Sequence, residues 1–287
     1  MPSDVTLYLG DCLDVMRGMD AGSVDAVICD PPYPEIDRAY GRMTEAEWWE
    51  MMMGVCTETR RILKPTGSAV FILQPNSRKV GSMRGWLFEF QAWICREWNM
   101  VQDAYWWNTT TMPQGSEKRG LMRSSIKPCV WAGAADCYRA QGKVLWEESK
   151  RNAQHRMEAR AKNDTGIEYR PSGVHFRRLR TSEAAERRGG VTPFNVLPMA
   201  NANSTNSAGA HGHGAGTPLE LAKWWTRYIC PPGGTCCDPF VGSGTMGLAA
   251  LEYGCSFVGI ERDATYFAIA EKRIAEAQMQ LPLLEGL

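Results

Sequence analysis

The chain has 287 residues, 44% of them apolar, and its 32 Lys+Arg balance its 32 Asp+Glu to a formal net charge of zero. That content supports the core of one α/β domain with an insertion, and no apolar run approaches the ~18–20 residues a membrane span needs. Ten cysteines without a single C-x-x-C pair argue against zinc or a redox dithiol and point to buried free thiols in a reducing compartment.

Met1 to Asp4 carries neither a basic region nor an apolar stretch, so no signal peptide is expected. Val5 to Leu9 reads as a strand running through Gly10-Asp11-Cys12 into a helix that reaches Met19, with Asp11 placed to cap it. The apolar run Val24 to Cys29 stops at Asp30-Pro31-Pro32-Tyr33, a buried strand entering a rigid loop. Proline fixes its own φ and holds the residue before it extended. Asp30 and the Pro31 carbonyl are therefore stiff acceptors at the carboxyl end of a strand, where open α/β sheets place ligands. With the face of Tyr33 beside them they suit a planar amine; the plainer alternative is a Pro-Pro turn with a capping Asp. Pro34 to Gly41 reads as a rim loop, with Arg38 and Tyr40 more at home in solvent than on a partner.

Thr44-Glu45-Ala46-Glu47 is a capping box that opens a helix to about Leu63, in which Trp48, Trp49 and Met51 to Met53 are expected to be core. Lys64 to Gly67 should stop that helix before a strand at Ser68 to Leu73. A helix over about Met83 to Glu97 and a strand pair, Tyr105 to Asn108 and Ile126 to Trp131, follow. From about Tyr138 the pattern dissolves into a basic stretch, Lys150 to Lys162, that includes Arg151 and Arg156, then the cluster Arg177, Arg178 and Arg180, then Arg187-Arg188. Gly115 to Asn195 holds 17 Lys+Arg against 9 Asp+Glu, a net of +8, which leaves 15 against 23, a net of −8, for the other residues. Such asymmetry fits a segment facing phosphates as well as it fits a solvated insertion. Asn201 to Gly216 is low-complexity; His211 and His213 lie in it without a metal-ligating partner.

A helix is expected over Pro218 to Ile229. Thr235 to Phe240 then forms a short strand, followed by Val241-Gly242-Ser243-Gly244-Thr245 and a helix through Glu252. Strand, glycine loop and helix start make a nucleotide-cofactor turn in which glycines let the backbone approach the ligand. The loop lacks G-x-G-x-x-G and Gly-Lys-Ser/Thr, so neither a dinucleotide nor a nucleoside triphosphate is favoured. The next strand, Ser256 to Ile260, delivers Glu261 where ribose hydroxyls could be accepted. A helix from Asp263 to about Gln280 closes the reading.

Taken together, D-P-P-Y at 30–33 and D-P-F-V-G-S-G-T at 238–245 resemble the amino-group DNA methyltransferases, in the class whose catalytic motif precedes the cofactor motif. The resemblance covers about Leu7 to Phe71 and Gly214 to Glu276. It implies a Rossmann-like α/β methyltransferase fold in permuted order, a mostly parallel sheet with helices on both faces. Residues 1–137 would be the catalytic half, 138–210 the inserted target-recognition region and flexible loop, and 211–287 the cofactor-binding half. It further implies S-adenosylmethionine, held by Asp11 and Cys12, by Asp238, Pro239, Phe240, Gly242, Ser243, Gly244 and Thr245, by Glu261, and by Thr217 and Pro218, where the family's Lys-Pro pair has lost its lysine. Asp30, Pro31, Pro32 and Tyr33 would act on an exocyclic amine of a base extruded from double-stranded DNA, adenine N6 ahead of cytosine N4. An RNA or protein amide methyltransferase and an inactive DNA-binding relative are the rival readings. Arg151, Arg156, Arg177, Arg178 and Arg180 would meet the DNA. No metal and no membrane are implied, homodimerisation is left open, and a cytoplasmic enzyme of a bacterial or phage-infected cell is expected.

Overall fold

A computed structural model describes residues 4–37, 41–111, 121–122, 124–147, 150, 153–154, 157–158, 167–169, 175–177, 185–201 and 216–284, with backbone alone at 167–169, 175–177 and 281–284. The chain divides into two compact units, Met1–Arg139 with Asn195–Leu287, and Ala140–Phe194.

In the larger unit the chain runs β1 (Val5–Leu9), α1 (Cys12–Arg17), β2 (Val24–Cys29), α2 (Glu45–Ile62), β3 (Leu63–Ile72), a hairpin of β4 (Ser77–Lys79) and β5 (Ser82–Met83), α3 (Trp86–Glu97), β6 (Met100–Gln102), β7 (Tyr105–Asn108) and β8 (Ile126–Gly133). In the smaller unit β9 (Ile167–Tyr169) pairs antiparallel with β10 (His175–Arg177), and Trp146 bridges Val191. The larger unit resumes with β11 (Val196–Met199), α4 (Leu219–Ile229), β12 (Thr235–Asp238), α5 (Thr245–Glu252), β13 (Ser256–Glu261) and α6 (Ala264–Leu284).

Nine strands form the main sheet in the order β1-β13-β12-β2-β3-β8-β7-β11, with β6 beside β8. From β1 to β3 every pairing is parallel, and antiparallel pairing enters with β8. Alternation along the strands serves two apolar layers. Val27 and Cys29 of β2, Phe71 and Leu73 around β3, and Val130 and Ala132 of β8 join Met16, Trp48, Met52 and Trp86 from α1, α2 and α3 in one core. The neighbouring Trp131 faces the other way and meets Trp225 and Tyr228 of α4, at ring distances of 5.9 and 5.5 Å. This is an α/β arrangement, a mostly parallel sheet between helices.

Four local expectations change. Lys64 to Gly67 does not form a separating loop: the chain turns extended at Leu63, the C-cap of α2, and β3 begins there. Pro65 is tolerated because the β2–β3 register shifts between Val24 and Ala26, so its missing N–H leaves no gap in the ladder. The helix expected from Met83 starts at Trp86, after a hairpin that turns at Gly81 with φ 75°. Inside the stretch read as dissolved, Val196–Met199 is β11, a parallel partner of β7. The final helix extends to Leu284, and the Asp263 carboxylate caps it by accepting from the N–H groups of Thr265 and Tyr266.

Candidate active site

β1, β2, β12 and β13 are parallel neighbours, so their carboxyl ends open on one edge of the sheet. The residues found there are Gly10-Asp11-Cys12, Asp30, Asp238 and Glu261, and all of them line one cavity of about 580 Å³. Pro31, Pro32, Tyr33, Thr217, Pro239, Phe240, Gly242, Ser243 and Thr245 line it too. Gly244 and Pro218 do not belong to its wall.

The catalytic-motif loop is braced from behind. Trp48, fully buried against Trp86 and Phe90, donates its indole N–H to the Pro32 carbonyl at 2.8 Å, and Asn76 donates to the Pro34 carbonyl at 2.6 Å. These bonds leave Asp30 held from both sides: the Tyr33 hydroxyl donates to Oδ1, and the Thr217 hydroxyl donates to Oδ2 at 2.9 Å. Tyr33 is buried. The Lys127 ammonium lies 3.4 Å from its hydroxyl oxygen and sits over two rings, 5.6 Å from the Tyr33 centroid and 5.0 Å from that of Trp106. Sequence reading missed Lys127 because it belongs to the β7–β8 strand pair, and only the antiparallel register brings that pair's end to the motif.

Asp11 accepts from the Leu13 and Asp14 N–H groups as the cap of α1 while also facing the cavity. The cap reading of that residue holds, and its place in the cavity wall leaves it available to a ligand. The Glu261 carboxylate takes the Gly242 N–H on Oε2 and the Asp263 N–H on Oε1, each at 2.9 Å. Each oxygen keeps a second lone pair for a further donor. Asp238 is buried, with the Phe240 N–H on its Oδ1 at 2.9 Å. Burial, and then the neighbouring Glu261 and Asp30, push its carboxyl well above the usual carboxylate range.

Gly244 departs from the expectation of ligand approach. Its φ of 86° is left-handed, and a Cβ there would meet Ala270 and Ile274 of α6 at 3.2–3.3 Å. The glycine serves a close loop–helix contact and a left-handed cap of α5 that a side chain would strain. Arg273 of α6 reinforces that contact by donating to the Ser243 carbonyl and, at 3.0 Å, to its hydroxyl. The thiols beside the cavity are inert: burial and the nearby Asp11 raise Cys12 to about 12, and burial raises Cys29 well above its ordinary value.

Arg151, Arg156, Arg178 and Arg180 lie outside the described residues, as do Arg38, Tyr40, His211 and His213, and Arg177 is described in backbone only, at the end of β10. No described helix is long and apolar enough to cross a membrane.

Comparison with known proteins agrees with this architecture. M.PvuII of Proteus hauseri, a type II methyltransferase, is 24% identical over 96% of this chain and 84% of its own length. The DNA adenine methyltransferase YhdJ of Escherichia coli K12 is 25% identical over 94% of this chain and 82% of its own. The solved PvuII DNA methyltransferase, cytosine-N4-specific, superimposes with a TM-score of 0.69 at 19% identity, covering 98% of this chain and 93% of the other. A putative DNA modification methylase of Thermus thermophilus, TTHA0409, solved with S-adenosyl-L-methionine, gives 0.60 at 18% identity and covers 96% of each. The family model described as DNA methylase, which spans N6 and N4 enzymes, matches residues 24–272, and the chain belongs to that family.

Proposed function

We propose that this chain transfers a methyl group from S-adenosylmethionine to the exocyclic N6 amine of adenine in double-stranded DNA. Family membership supports DNA amino-methylation. The observation that carries the site assignment is the meeting of Asp30 with the Asp238–Thr245 loop in one cavity.

The cavity wall suits S-adenosylmethionine, whose ammonium and sulfonium groups are cationic. Among the described residues, five acidic side chains, Asp11, Asp30, Asp37, Asp238 and Glu261, line it against one basic side chain, Arg262. Asp238 and the Pro239–Thr245 turn would hold the cofactor, Glu261 its ribose hydroxyls, Asp11 and Cys12 its adenine end. Thr217 would hold its methionine end, with Pro218, the N-cap of α4, setting where Thr217 stands. When bound, the cofactor supplies an electrophilic methyl on a sulfonium centre.

The rest falls to this chain's own side chains. A base inside a duplex is out of reach and must be extruded. Asp30 Oδ1 and the Pro31 carbonyl accept from the incoming amine and aim its lone pair, while the Tyr33 hydroxyl gives up its bond to Asp30. The Tyr33 ring supports the base, and Lys127 holds that ring from its far end. Positioning of the two reactants supplies most of the rate. With Cys12 and Cys29 protonated, no thiolate attack on a base is called for.

The Ala140–Phe194 unit and the basic stretch around it would bind DNA, through Arg151, Arg156, Arg177, Arg178 and Arg180. Aspartate at the head of the catalytic motif, which resembles the adenine enzymes more than the cytosine ones, supports N6 over N4. The test is nucleoside analysis of DNA treated with the protein and methyl-labelled cofactor. N6-methyldeoxyadenosine is expected; N4-methyldeoxycytidine would move the reaction to cytosine, and label in RNA or protein alone would overturn the proposal.

A further inference from the structure

Three thiols distant in sequence meet at the opposite end of the strands that carry Asp238 and Glu261. Cys230 is the C-cap of α4, Cys236 lies near the start of β12, and Cys255 directly precedes β13. Their exposures are 0, 3 and 0%. The three sulfur atoms lie within 4.8 Å of one another, and no other trio of His, Cys, Asp or Glu among the described residues comes as close. The spacings, six and then nineteen residues, match no short zinc motif, which is why composition argues against a metal.

We propose that Cys230, Cys236 and Cys255 form a trithiolate site for one Zn²⁺ ion, completed by the Pro231 carbonyl oxygen. Zinc bonds of ~2.3 Å to sulfur and ~2.1 Å to oxygen, at the tetrahedral angle, set sulfurs ~3.7 Å apart and sulfur ~3.6 Å from oxygen. The Cys230 and Cys255 sulfurs are 3.6 Å apart, and each is 3.6 Å from the Pro231 oxygen. Three of the four donor atoms thus already stand at close to coordination spacing, and the Cys236 sulfur, within 4.8 Å of the other two, needs only a small approach to complete the set. Loading requires Zn²⁺ to replace three thiol protons, which leave to solvent, and it occurs as the chain folds because the site is buried.

The surroundings are built to the same end. A Cβ on Gly234 would meet Asp25 Oδ2 at 2.9 Å, the Pro231 oxygen at 2.9 Å and the Cys230 sulfur at 3.0 Å, so only glycine leaves these donors in place. Asp25 is itself fixed by the Lys64 ammonium at 2.7 Å and the Thr235 N–H at 2.8 Å. The ion would tie the end of α4 to the starts of β12 and β13, and so brace the strands whose far ends form the cavity.

The experiment is metal analysis of the full chain, stripped with chelator in denaturant, refolded with Zn²⁺ under reducing conditions and dialysed. About one zinc per folded chain is expected, and Co²⁺ in its place should give thiolate-to-metal charge-transfer absorption. A Cys236→Val, Cys255→Val double variant, which keeps the core filled, should lose both signals, whereas Cys56→Ala should keep them. Wild-type protein that is folded yet retains under about a tenth of an equivalent overturns the site whether or not the variants fold. Undiminished zinc in the double variant, or a non-reduced mass two hydrogens low from a disulfide, overturns it equally.

Discussion

Thr217 and Asp30 are 187 positions apart and share a hydrogen bond of 2.9 Å. The bond joins the residue ahead of α4 to the carboxyl end of β2. The Asp30 carboxylate, the proposed acceptor of the target amine, is thereby oriented by a residue that lines the same cavity as the Asp238–Thr245 turn.

Thr217→Val keeps the shape and removes the donor. A hydrogen bond to a charged group contributes about 1.5–3 kcal/mol, so the methylation rate should fall about ten- to a hundredfold. With cofactor saturating, the rate loss reports the bond to Asp30; cofactor affinity, to which Thr217 would also contribute, should weaken as well, and Thr217→Ser should recover most of both. Single-turnover kinetics on the three proteins reads this; an unchanged rate for the valine variant means the bond does not serve the reaction.

Gly244→Ala should act on folding. A left-handed φ and a Cβ pressed against Ala270 and Ile274 together cost about 2–4 kcal/mol. Denaturant unfolding should show the loss, while calorimetry on the folded protein should find cofactor affinity within a few-fold of the original. Lost affinity in a protein of undiminished stability would place the ligand, and not α6, against this glycine.

Asp238 sets a pH dependence. Its folded pKa is raised by burial, against about 3.9 in the unfolded chain, so the fold binds the proton more tightly. That stabilisation is complete below about pH 4 and is lost as pH rises through the folded value. Melting temperature of the cofactor-free protein should therefore decline with rising pH over that window. Asp238→Asn should flatten the decline, and bound cofactor should offset it, since a cationic ligand favours the ionised carboxyl. Parallel pH slopes for the wild type and the Asn variant would remove Asp238 from the account.

DNA affinity should depend steeply on salt. The excess of +8 over Gly115 to Asn195, in an otherwise acidic chain, would be the main source of phosphate neutralisation under the proposed function. Each Lys or Arg on a phosphate adds about 0.9 to the slope of log affinity against log salt. Replacing Arg177, Arg178 and Arg180 by Ala should reduce the slope by up to about three and leave cofactor binding alone. A wild-type slope in the triple variant would direct attention to Lys150 to Lys162.

What is legible in the sequence is local. Val24–Cys29 ending at a proline pair, and Thr235–Asp238 ending at a glycine loop, each carry strand, stop and cavity-lining residue within a dozen positions. The pairings of those strands with β13 and β3 then follow from parallel α/β packing. Features made by long-range register stay hidden. Lys127 reaches Tyr33, and β11 reaches β7, only through antiparallel or late pairings that no periodicity announces. The role of Gly244 escapes sequence reading for the same reason: left-handed φ is a local property, but what fills the space above it comes from α6.

The most direct measurement replaces Asp30 by Ala and follows cofactor binding and methyl transfer in the same preparation. Cofactor affinity within a few-fold of wild type is expected, because Asp238 to Thr245 and Glu261 would hold most of the ligand, together with loss of methylated adenine from the DNA product. Turnover above about a tenth of wild type, with the fold intact, would contradict the role proposed for Asp30.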